Sequence, residues 1–158
     1  MSNIKSVLFI CTGNSCRSPM AEGLLKKYLS QLGKGDIEVK SAGMGALDGF
    51  TPTDETIEVM KKEGVDLSGF KSKALTKELV KEADLILVME VKHKEQIRRI
   101  EPEAEGKTYL LKEFQMGGKS SYPEDPNVPD PIGKSLDYYK LSFEVIKDEI
   151  KRIAACYN

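Results

Sequence analysis

Histidine and cysteine are scarce in this 158-residue sequence, and their scarcity argues against several kinds of site. The only histidine is His93, which excludes a metal centre built on several histidines. Cys11 and Cys16 have a C-x4-C spacing with no second pair, so a zinc site is not expected either. His93 lies in the charged stretch "EVKHKEQIRR", where we predict a solvent-exposed side chain at the start of a helix.

Long apolar runs and an excess of either charge are also missing. No run approaches the roughly 20 residues that span a membrane, and the N-terminal "MSNIKSVLFI" lacks the features of a signal peptide. Lys and Arg together number 24 and Asp and Glu 25, so no global positive field attracts nucleic acid or an anionic membrane. We therefore expect a cytoplasmic protein with reduced cysteines and with no nucleic-acid or membrane partner.

Hydrophobic residues make up 40% of the sequence, which is enough for one ordinary domain, predicted to span residues 1–158. Apolar, β-branched runs alternate with helical patterns along the chain. The runs predict strands at 6–10, 37–43, 83–89 and 107–111, and the patterns predict helices at 20–32, 53–64, 76–83, 92–100 and 135–157. This alternation is typical of a parallel α/β sheet with helices on both faces.

Two stretches rich in Gly, Pro, Ser and Asp interrupt the alternation, at 41–52 and 117–135. We interpret both as long loops within one domain, and such loops often carry function. Ligands of open α/β sheets bind at the carboxyl ends of the strands. The loop after the first strand is therefore a candidate binding site.

That loop, within "VLFICTGNSCRSPMAE", has the residues of an anion site. Gly13 and Asn14 suit positive φ angles, Ser18 suits a helix N-cap, and Pro19 suits the first helical turn. A loop of this kind aims successive backbone N–H groups at one point, and the helix dipole adds positive potential there. Arg17 supplies a guanidinium fork that can hold two oxygens of a phosphoryl group.

Cys11, at the end of the first strand, is the candidate nucleophile. The same N–H groups, the helix dipole and Arg17 favour its thiolate form. In the Cys-x5-Arg spacing, five residues complete a ring around a tetrahedral anion and return Arg17 to face the sulfur. The thiolate can then attack phosphorus in line and form a phosphocysteine intermediate. The alternative, a structural cysteine beside a glycine turn, is disfavoured by the strand-loop-helix context.

Phosphoryl transfer also needs an acid for the leaving group, and the scarcity of histidine points to Asp or Glu. The second long loop contains two Asp-Pro pairs, which begin at Asp125 and Asp130. Proline stiffens a loop that has to carry an acid to the site, although such pairs are also common in simple turns. Both aspartates are candidates on this ground.

The strings "CTGNSCRSPMAE", "SAG", "LTKELVKEADLILVM" and "DPIG" resemble the low-molecular-weight protein tyrosine phosphatase family over essentially the whole chain. The resemblance implies a flavodoxin-like three-layer α/β fold with a four-stranded parallel sheet flanked by helices. It implies hydrolysis of phosphorylated protein side chains without a metal or other cofactor, with phosphate or another oxyanion held in the loop. Cys11 would be the nucleophile, Arg17 the phosphate binder and Asp130 the general acid and then the base. Asp125 is the reserve candidate for the acid.

The resemblance also assigns the rest of the loop to substrate binding. The residues concerned are Thr12, Gly13, Asn14, Ser15, Cys16 and Ser18. Among them, Asn14 and Ser18 would hold the loop, and the Ser18 hydroxyl would also form a hydrogen bond with the thiolate. Cys16 corresponds to the family's second cysteine, which can form a reversible disulfide with the nucleophile under oxidation.

Departures from the family pattern concern the surroundings of the loop. Phe70 stands where many members carry a histidine that supports the loop. Tyrosine-specific members commonly line the cleft with aromatic residues after "SAG" and after the catalytic Asp-Pro. Here those places read "MGALD" and Ile132-Gly133, so a flat aromatic substrate would lose stacking partners.

Ser15 bears on which phosphorylated side chain fits. Tyrosine phosphatases commonly have a bulky aliphatic residue at this position, whereas the protein arginine phosphatase branch carries Thr. The strings "LTKELVKEADLILVM" and "DPIGKSLDYYK" also look like that branch. A small hydroxyl residue could admit a planar, cationic guanidinium, so phosphoarginine is mildly favoured over phosphotyrosine.

Two other functions share parts of this pattern. An arsenate reductase-like thiol enzyme would need further cysteines to pass a disulfide outward, and "ADLILVMEVKHKEQ" contains none. A non-catalytic phosphate-binding module would not need a thiol. Cys156 is interpreted as a packing residue of the last helix, and at least one ring of the Tyr138-Tyr139 pair is expected to pack there.

Overall fold

A four-stranded parallel sheet forms the centre of the fold. The computed structural model describes residues 1, 3–116 and 124–158. The strands are β1 (Ser6–Cys11), β2 (Glu38–Gly43), β3 (Leu85–Val88) and β4 (Thr108–Leu110), in the spatial order β2-β1-β3-β4. All the paired strands are parallel. The strand order reverses between β1 and β3, which places the carboxyl end of β1 at the usual ligand position of an open α/β sheet.

Helices cover both faces of this sheet. They are α1 (Arg17–Gln31), α2 (Asp54–Lys62), α3 (Lys77–Glu82), α4 (Val91–Ile100) and α5 (Leu136–Ala155), with a 3-10 helix at Pro102–Lys107. Alternate residues of β1 point to opposite faces, as the period of a strand requires. Phe9 packs in the larger core with residues of α1, α2 and α5, whereas Ile10 packs in the smaller core with residues of α3 and α4. The sheet is therefore buried on both sides, which explains its continuous apolar runs.

Within the described residues, the four strands and five α-helices follow the predicted order, with ends that differ by up to three residues, whereas the 3-10 helix was not predicted. The main difference is the start of α1, which begins at Arg17 rather than at residue 20. Ser18 is therefore not the N-cap. Cys16 occupies that position, and the Ser18 hydroxyl forms hydrogen bonds with Cys11 and Asn14 instead.

Of the two predicted long loops, the first is described along its whole length and the second only in part. The first runs from the end of β2 at Gly43 to the start of α2 and lies beside the β1–α1 loop, as the hydrogen bonds below show. Part of the second, residues 117–123, lies outside the described residues, but the described part includes both Asp-Pro pairs. Among the described residues, no helix combines the length and the apolar content that crossing a membrane requires.

Candidate active site

The β1–α1 loop closes into a ring at the carboxyl end of the sheet. Asn14 adopts the left-handed conformation with φ of 50°, which asparagine tolerates better than most residues. Gly43, at the end of β2, lets the ring pack closely, because a Cβ there would lie 2.7 Å from the Thr12 carbonyl oxygen. The backbone N–H groups of Met44 and Gly45 donate to the carbonyls of Cys11 and Thr12, both at 2.9 Å. The "SAG" string thus supports the ring from the neighbouring strand.

Cys11 lies at the floor of the ring and is 3% exposed. Its sulfur accepts a hydrogen bond from the backbone N–H of Asn14 at 3.2 Å and lies 2.9 Å from the Ser18 hydroxyl. Donors aimed at a sulfur stabilise its thiolate form. The loop therefore supplies the environment that a nucleophilic cysteine needs.

The Asn14 side chain fixes the direction of the Ser18 hydroxyl. Its amide nitrogen donates to Ser18 Oγ at 2.8 Å and to Ser41 Oγ at 2.9 Å, and its amide oxygen accepts from the backbone N–H of Lys73 at 2.9 Å. Because the amide occupies a lone pair of Ser18 Oγ, the hydroxyl proton of Ser18 is free to donate to the Cys11 sulfur. The network thus ends in a donor to the Cys11 sulfur.

The network of Asn14 forms although Phe70 stands where many members of the similar family carry a supporting histidine. Phe70 is partly buried and packs against the larger core, so it does not reach the loop through a polar group. The backbone N–H of Lys73 provides the hydrogen bond to Asn14 instead. The segment after Phe70 therefore still supports the ring.

Arg17 is held at the other end of the ring, with 1% of its side chain exposed. One guanidinium nitrogen, Nη1, donates to Glu90 Oε2 at 2.7 Å and to the Val128 carbonyl at 2.8 Å. The other, Nη2, lies 3.4 Å from Asp130 Oδ2. A guanidinium fixed in this way presents a permanent positive charge to the ring.

Asp130 and Asp125 have different surroundings. Asp130 is about one-third exposed, and its Oδ1 accepts a hydrogen bond from the backbone N–H of Ile132 at 3.1 Å. Asp125 accepts from the backbone N–H of Asn127, and its carbonyl accepts from Lys112 Nζ. Of the two aspartates, Asp130 is the one that lines the cavity at the ring.

That cavity has a volume of about 140 Å³. Among the described residues it is lined by Cys11, Thr12, Gly13, Ser15, Cys16, Arg17, Asp130 and Ile132. The sulfur, the guanidinium and the carboxylate that the sequence singled out thus share one small chamber. Asn14 and Ser18, also predicted at the site, lie in the layer directly beneath it.

Cys16 is buried beneath the ring among three hydroxyl groups. Ser15 Oγ, Thr53 Oγ1 and Tyr139 Oη each lie 3.6 Å from its sulfur. Burial raises the pKa of Tyr139 to about 12, and the Tyr139 hydroxyl oxygen accepts a hydrogen bond from the Cys16 thiol. Tyr139 was expected only to pack in α5, and the contact of its hydroxyl with Cys16 is new.

His93 contradicts the prediction of a solvent-exposed side chain, because it is fully buried. Its Nε2 lies 2.9 Å from Thr12 Oγ1, and its Nδ1 accepts a hydrogen bond from the backbone N–H of Glu90 at 3.1 Å. Burial, reinforced by the positive charge of Arg17, lowers the pKa of His93 to about 4. The charged string around it describes the outer face of α4, whereas His93 lies on the inner face.

Glu90 was missed by the sequence interpretation. It directly follows the buried run of β3, at the edge of the sheet where ligands bind, and that position was the available signal. Its carboxylate holds the Arg17 guanidinium. Glu90 and His93 together bring the start of α4 against the ring.

Ile132, which lines the cavity, and Leu47 and Phe50, on the segment between β2 and α2, are exposed apolar side chains that we call the rim. Leu47, Phe50 and Ile132 are 70%, 62% and 51% exposed. Phe50 belongs to the segment between β2 and α2, which is tied to the ring at its far end by Thr53 N–H donating to the Ser15 carbonyl at 3.2 Å. The positions after "SAG" and after Asp130-Pro131 carry no aromatic residue, but Phe50 provides an exposed aromatic ring nearby in the chain.

A buried thiol that accepts a backbone N–H and shares one cavity with a fixed arginine and a carboxylate has the groups that cysteine-based phosphoryl transfer requires. Known proteins are similar to this chain in sequence and in fold. A family model described as low molecular weight phosphotyrosine protein phosphatase matches residues 6–157.

Three relatives illustrate the match. The low molecular weight protein-tyrosine-phosphatase Etp of Escherichia coli K12 is 38% identical over 142 residues, which cover 90% of this chain and 87% of Etp. The structure of the tyrosine phosphatase Wzb from Escherichia coli K30 in complex with sulphate is 36% identical, with a TM-score of 0.84 over 98% of this chain and 99% of that one. A YwlE arginine phosphatase mutant with a phosphorylated active-site serine is 33% identical, with a TM-score of 0.86 over 95% and 93%.

The chain belongs to the low molecular weight protein tyrosine phosphatase family, and it is a protein phosphatase. The predicted α/β fold with a four-stranded parallel sheet is confirmed. The matched proteins are named as phosphatases, which favours this activity over an arsenate reductase-like enzyme and over a non-catalytic binding module.

Proposed function

We propose that Cys11, Arg17 and Asp130 together hydrolyse the phosphoryl group of a phosphorylated protein. The observation that carries the proposal is their convergence on one cavity, with the Cys11 sulfur beneath hydrogen-bond donors and the Arg17 guanidinium 3.4 Å from the Asp130 carboxylate. The Wzb structure is a complex with sulphate, and the YwlE mutant carries a phosphorylated active-site serine; both support oxyanion binding and a phosphoenzyme in this chain.

The reaction proceeds in two displacements. The Cys11 thiolate attacks phosphorus, so that an S–P bond forms while the bond to the leaving group breaks, and Asp130 gives its proton to the leaving atom. Water then gives a proton to Asp130 and attacks the phosphocysteine, which releases inorganic phosphate and restores the thiolate. The ring N–H groups and Arg17 hold the phosphoryl oxygens through both steps.

We propose that phosphoarginine is the preferred substrate, because Ser15 is the small side chain at the cavity wall. It lines the cavity and lies against Cys16, leaving room where a bulky aliphatic side chain would stand. Its hydroxyl can accept a hydrogen bond from a guanidinium, which carries only donors.

Phosphotyrosine is the second candidate, because the rim offers apolar surface. Phe50 and Ile132 are exposed at 62% and 51%, and an aromatic ring leaving the cavity could pack against such side chains. The relatives above include both tyrosine and arginine phosphatases at similar identity, so the choice depends on this chain's own residues.

The test is to compare kcat/KM on a phosphoarginine peptide and a phosphotyrosine peptide of the same sequence. We expect the wild type to prefer phosphoarginine, Ser15→Thr to keep that preference, and Ser15→Ile to shift it at least tenfold toward phosphotyrosine. An unchanged preference in Ser15→Ile would contradict the role of Ser15. Hydrolysis of neither peptide would contradict the proposed function itself.

Two further properties follow from this mechanism. We propose that turnover needs no metal, since the thiolate supplies the nucleophile and Arg17 the positive charge; activity should be the same with and without a chelator. We also propose a cytoplasmic location, because the mechanism needs Cys11 as a free thiol and all three cysteines are unpaired. Cell fractionation would test the location.

A further inference from the structure

Helix α4 contacts the phosphate-binding ring through two side chains that come from one helical turn. The Glu90 carboxylate holds Arg17, near the end of the ring, at 2.7 Å. His93 holds Thr12, which directly follows the nucleophile, at 2.9 Å. The two contacts therefore fix opposite ends of the ring to the same rigid element. The reaction proposed above uses Arg17, but it gives His93 no part.

The hydrogen bonds of His93 define which nitrogen carries the proton. Backbone N–H groups only donate, so the N–H of Glu90 requires Nδ1 to be the acceptor. The imidazole of His93 is neutral at ordinary pH, because its pKa lies at about 4. The single proton is therefore on Nε2, which donates it to Thr12 Oγ1.

This arrangement suits a positioning role. A buried neutral imidazole adds no charge to a site that has to hold an anion, and it does not compete with Arg17 for the Glu90 carboxylate. A buried side chain with both of its ring nitrogens in hydrogen bonds has a fixed orientation. Thr12 is thereby held beside the cavity wall that it helps to form.

We propose that His93 is a positioning residue of the phosphatase site, which holds the start of the phosphate-binding ring in its anion-binding shape by donating a hydrogen bond from Nε2 to Thr12 Oγ1. The inference rests on the proposed function, because the ring's affinity for a phosphoryl group is what His93 acts on. Its effect passes through Thr12 and not through contact with the substrate.

Two substitutions separate this role from simple support of the helix. In His93→Gln, the side-chain amide nitrogen can take the place of Nε2 and keep the contact with Thr12, while the acceptor for the Glu90 N–H is lost. In His93→Asn, the shorter side chain can keep an acceptor near Nδ1 but cannot reach Thr12. A role in helix capping alone predicts that Gln is the more damaging change, and a role in positioning the ring predicts that Asn is.

The measurements are kcat/KM on p-nitrophenyl phosphate and the inhibition constant of inorganic phosphate. We expect His93→Asn and Thr12→Val each to weaken phosphate inhibition and lower kcat/KM by about five- to tenfold, the range set by one neutral hydrogen bond. His93→Gln, which keeps the donor to Thr12, should stay within about twofold of wild type. In the double variant His93→Asn/Thr12→Val, the loss should not exceed that of either single variant, because both remove the same contact.

Ile97→Val is the matched control for stability. Ile97 is fully buried in the smaller core one turn after His93, and its apolar side chain can form no hydrogen bond with the ring, so its truncation lowers the unfolding temperature without changing phosphate inhibition. Multiplying losses in the double variant, or equal losses in His93→Gln and His93→Asn, would overturn the inference while the enzyme remains active. A wild type without turnover would instead overturn the proposed function.

Discussion

The floor and the rim of the site are built in opposite ways. At the floor, polar side chains are almost completely buried, and each is held by named partners: Asn14, Ser18 and Arg17 are at most 1% exposed. At the rim, Leu47 and Phe50 are apolar and more than half exposed. A buried polar group loses its solvation if a partner is removed, whereas an exposed apolar side chain can change at little cost. The floor thus fixes the chemistry, and the rim is free to vary with the substrate.

The largest effect that this contrast predicts is at Arg17. In Arg17→Lys the charge remains, but a single ammonium cannot hold Glu90, the Val128 carbonyl and two phosphoryl oxygens at once. We expect kcat/KM on p-nitrophenyl phosphate to fall about 10³-fold, the upper range for loss of one transition-state donor. A loss of less than tenfold in a folded variant would show that the floor does not require the fork geometry of Arg17.

The next largest effect is on stability and comes from His93. Its pKa of about 4 lies below the ordinary 6.5, so the unfolded chain binds a proton that the folded chain does not as the pH falls from 6.5 toward 4. The contribution of the neutral His93 to the free energy of unfolding is fully present above pH 6.5, and about 3 kcal/mol of it is lost by about pH 4. The groups that face His93 are Glu90 and Lys92 on α4, Arg17 on α1, and Asp130.

Urea unfolding of wild type and His93→Gln at pH 7 and pH 4.5 measures the contribution of His93 to the pH dependence of stability. The wild type should lose more stability than the variant over this range, by roughly 2 to 3 kcal/mol. Equal losses in the two proteins would mean that His93 is not a buried neutral group.

A comparable effect on the rate is expected at Asp130. In Asp130→Asn, substrates with poor leaving groups should lose about 10²-fold in kcat, whereas p-nitrophenyl phosphate should lose much less because its leaving group needs little protonation. Asp125→Asn is the matched control from the same loop and should stay near wild type. If the two variants lost activity equally, Asp130 would not be the acid.

Ser41 provides a smaller test of the floor. In Ser41→Ala, Asn14 loses one of the two acceptors of its amide, at 2.9 Å, while its contact with Ser18 remains. We expect the free energy of unfolding to fall by about 1 to 2 kcal/mol and kcat/KM to fall several-fold. If neither the free energy of unfolding nor kcat/KM changed, the hydrogen bonds of Asn14 would not act as one network.

The smallest effect is expected at the rim. The free energy of unfolding of Phe50→Ala should lie within about 0.5 kcal/mol of the wild-type value. Its kcat/KM on p-nitrophenyl phosphate should be nearly unchanged. Loss of activity on a phosphotyrosine peptide but not on a phosphoarginine peptide would identify Phe50 as a wall for aromatic substrates. A loss of stability above 1 kcal/mol would contradict the contrast between floor and rim.

The sequence was sufficient wherever the determinants are local. Continuous apolar runs predicted the strands, and the strand-loop-helix pattern placed Cys11 and Arg17 in one ring, because only five residues separate them. The start of α1 was predicted three residues late, since Ser18 resembles an N-cap but its hydroxyl contacts the Cys11 sulfur. Choosing Asp130 over Asp125 required the family resemblance, because both occur in the same Asp-Pro context.

The contacts that the sequence could not predict are those between distant residues. Glu90 reaches Arg17 across 73 positions, and His93 reaches Thr12 across 81. Both are polar residues in charged surroundings, where exposure is the ordinary expectation. Only the packing of α4 against the sheet shows that this turn of the helix faces inward.

The central claim is that the phosphoryl group passes through a covalent bond to Cys11. Rapid mixing of the enzyme with a phosphorylated substrate, followed by quenching and mass spectrometry of the peptides, tests it directly. We predict that the peptide containing Cys11 gains the mass of one phosphoryl group, transiently in the wild type and for longer in Asp130→Asn, in which hydrolysis of the intermediate is slowed. Turnover without any phosphorylated Cys11 peptide, or unchanged turnover in Cys11→Ser, would contradict the account.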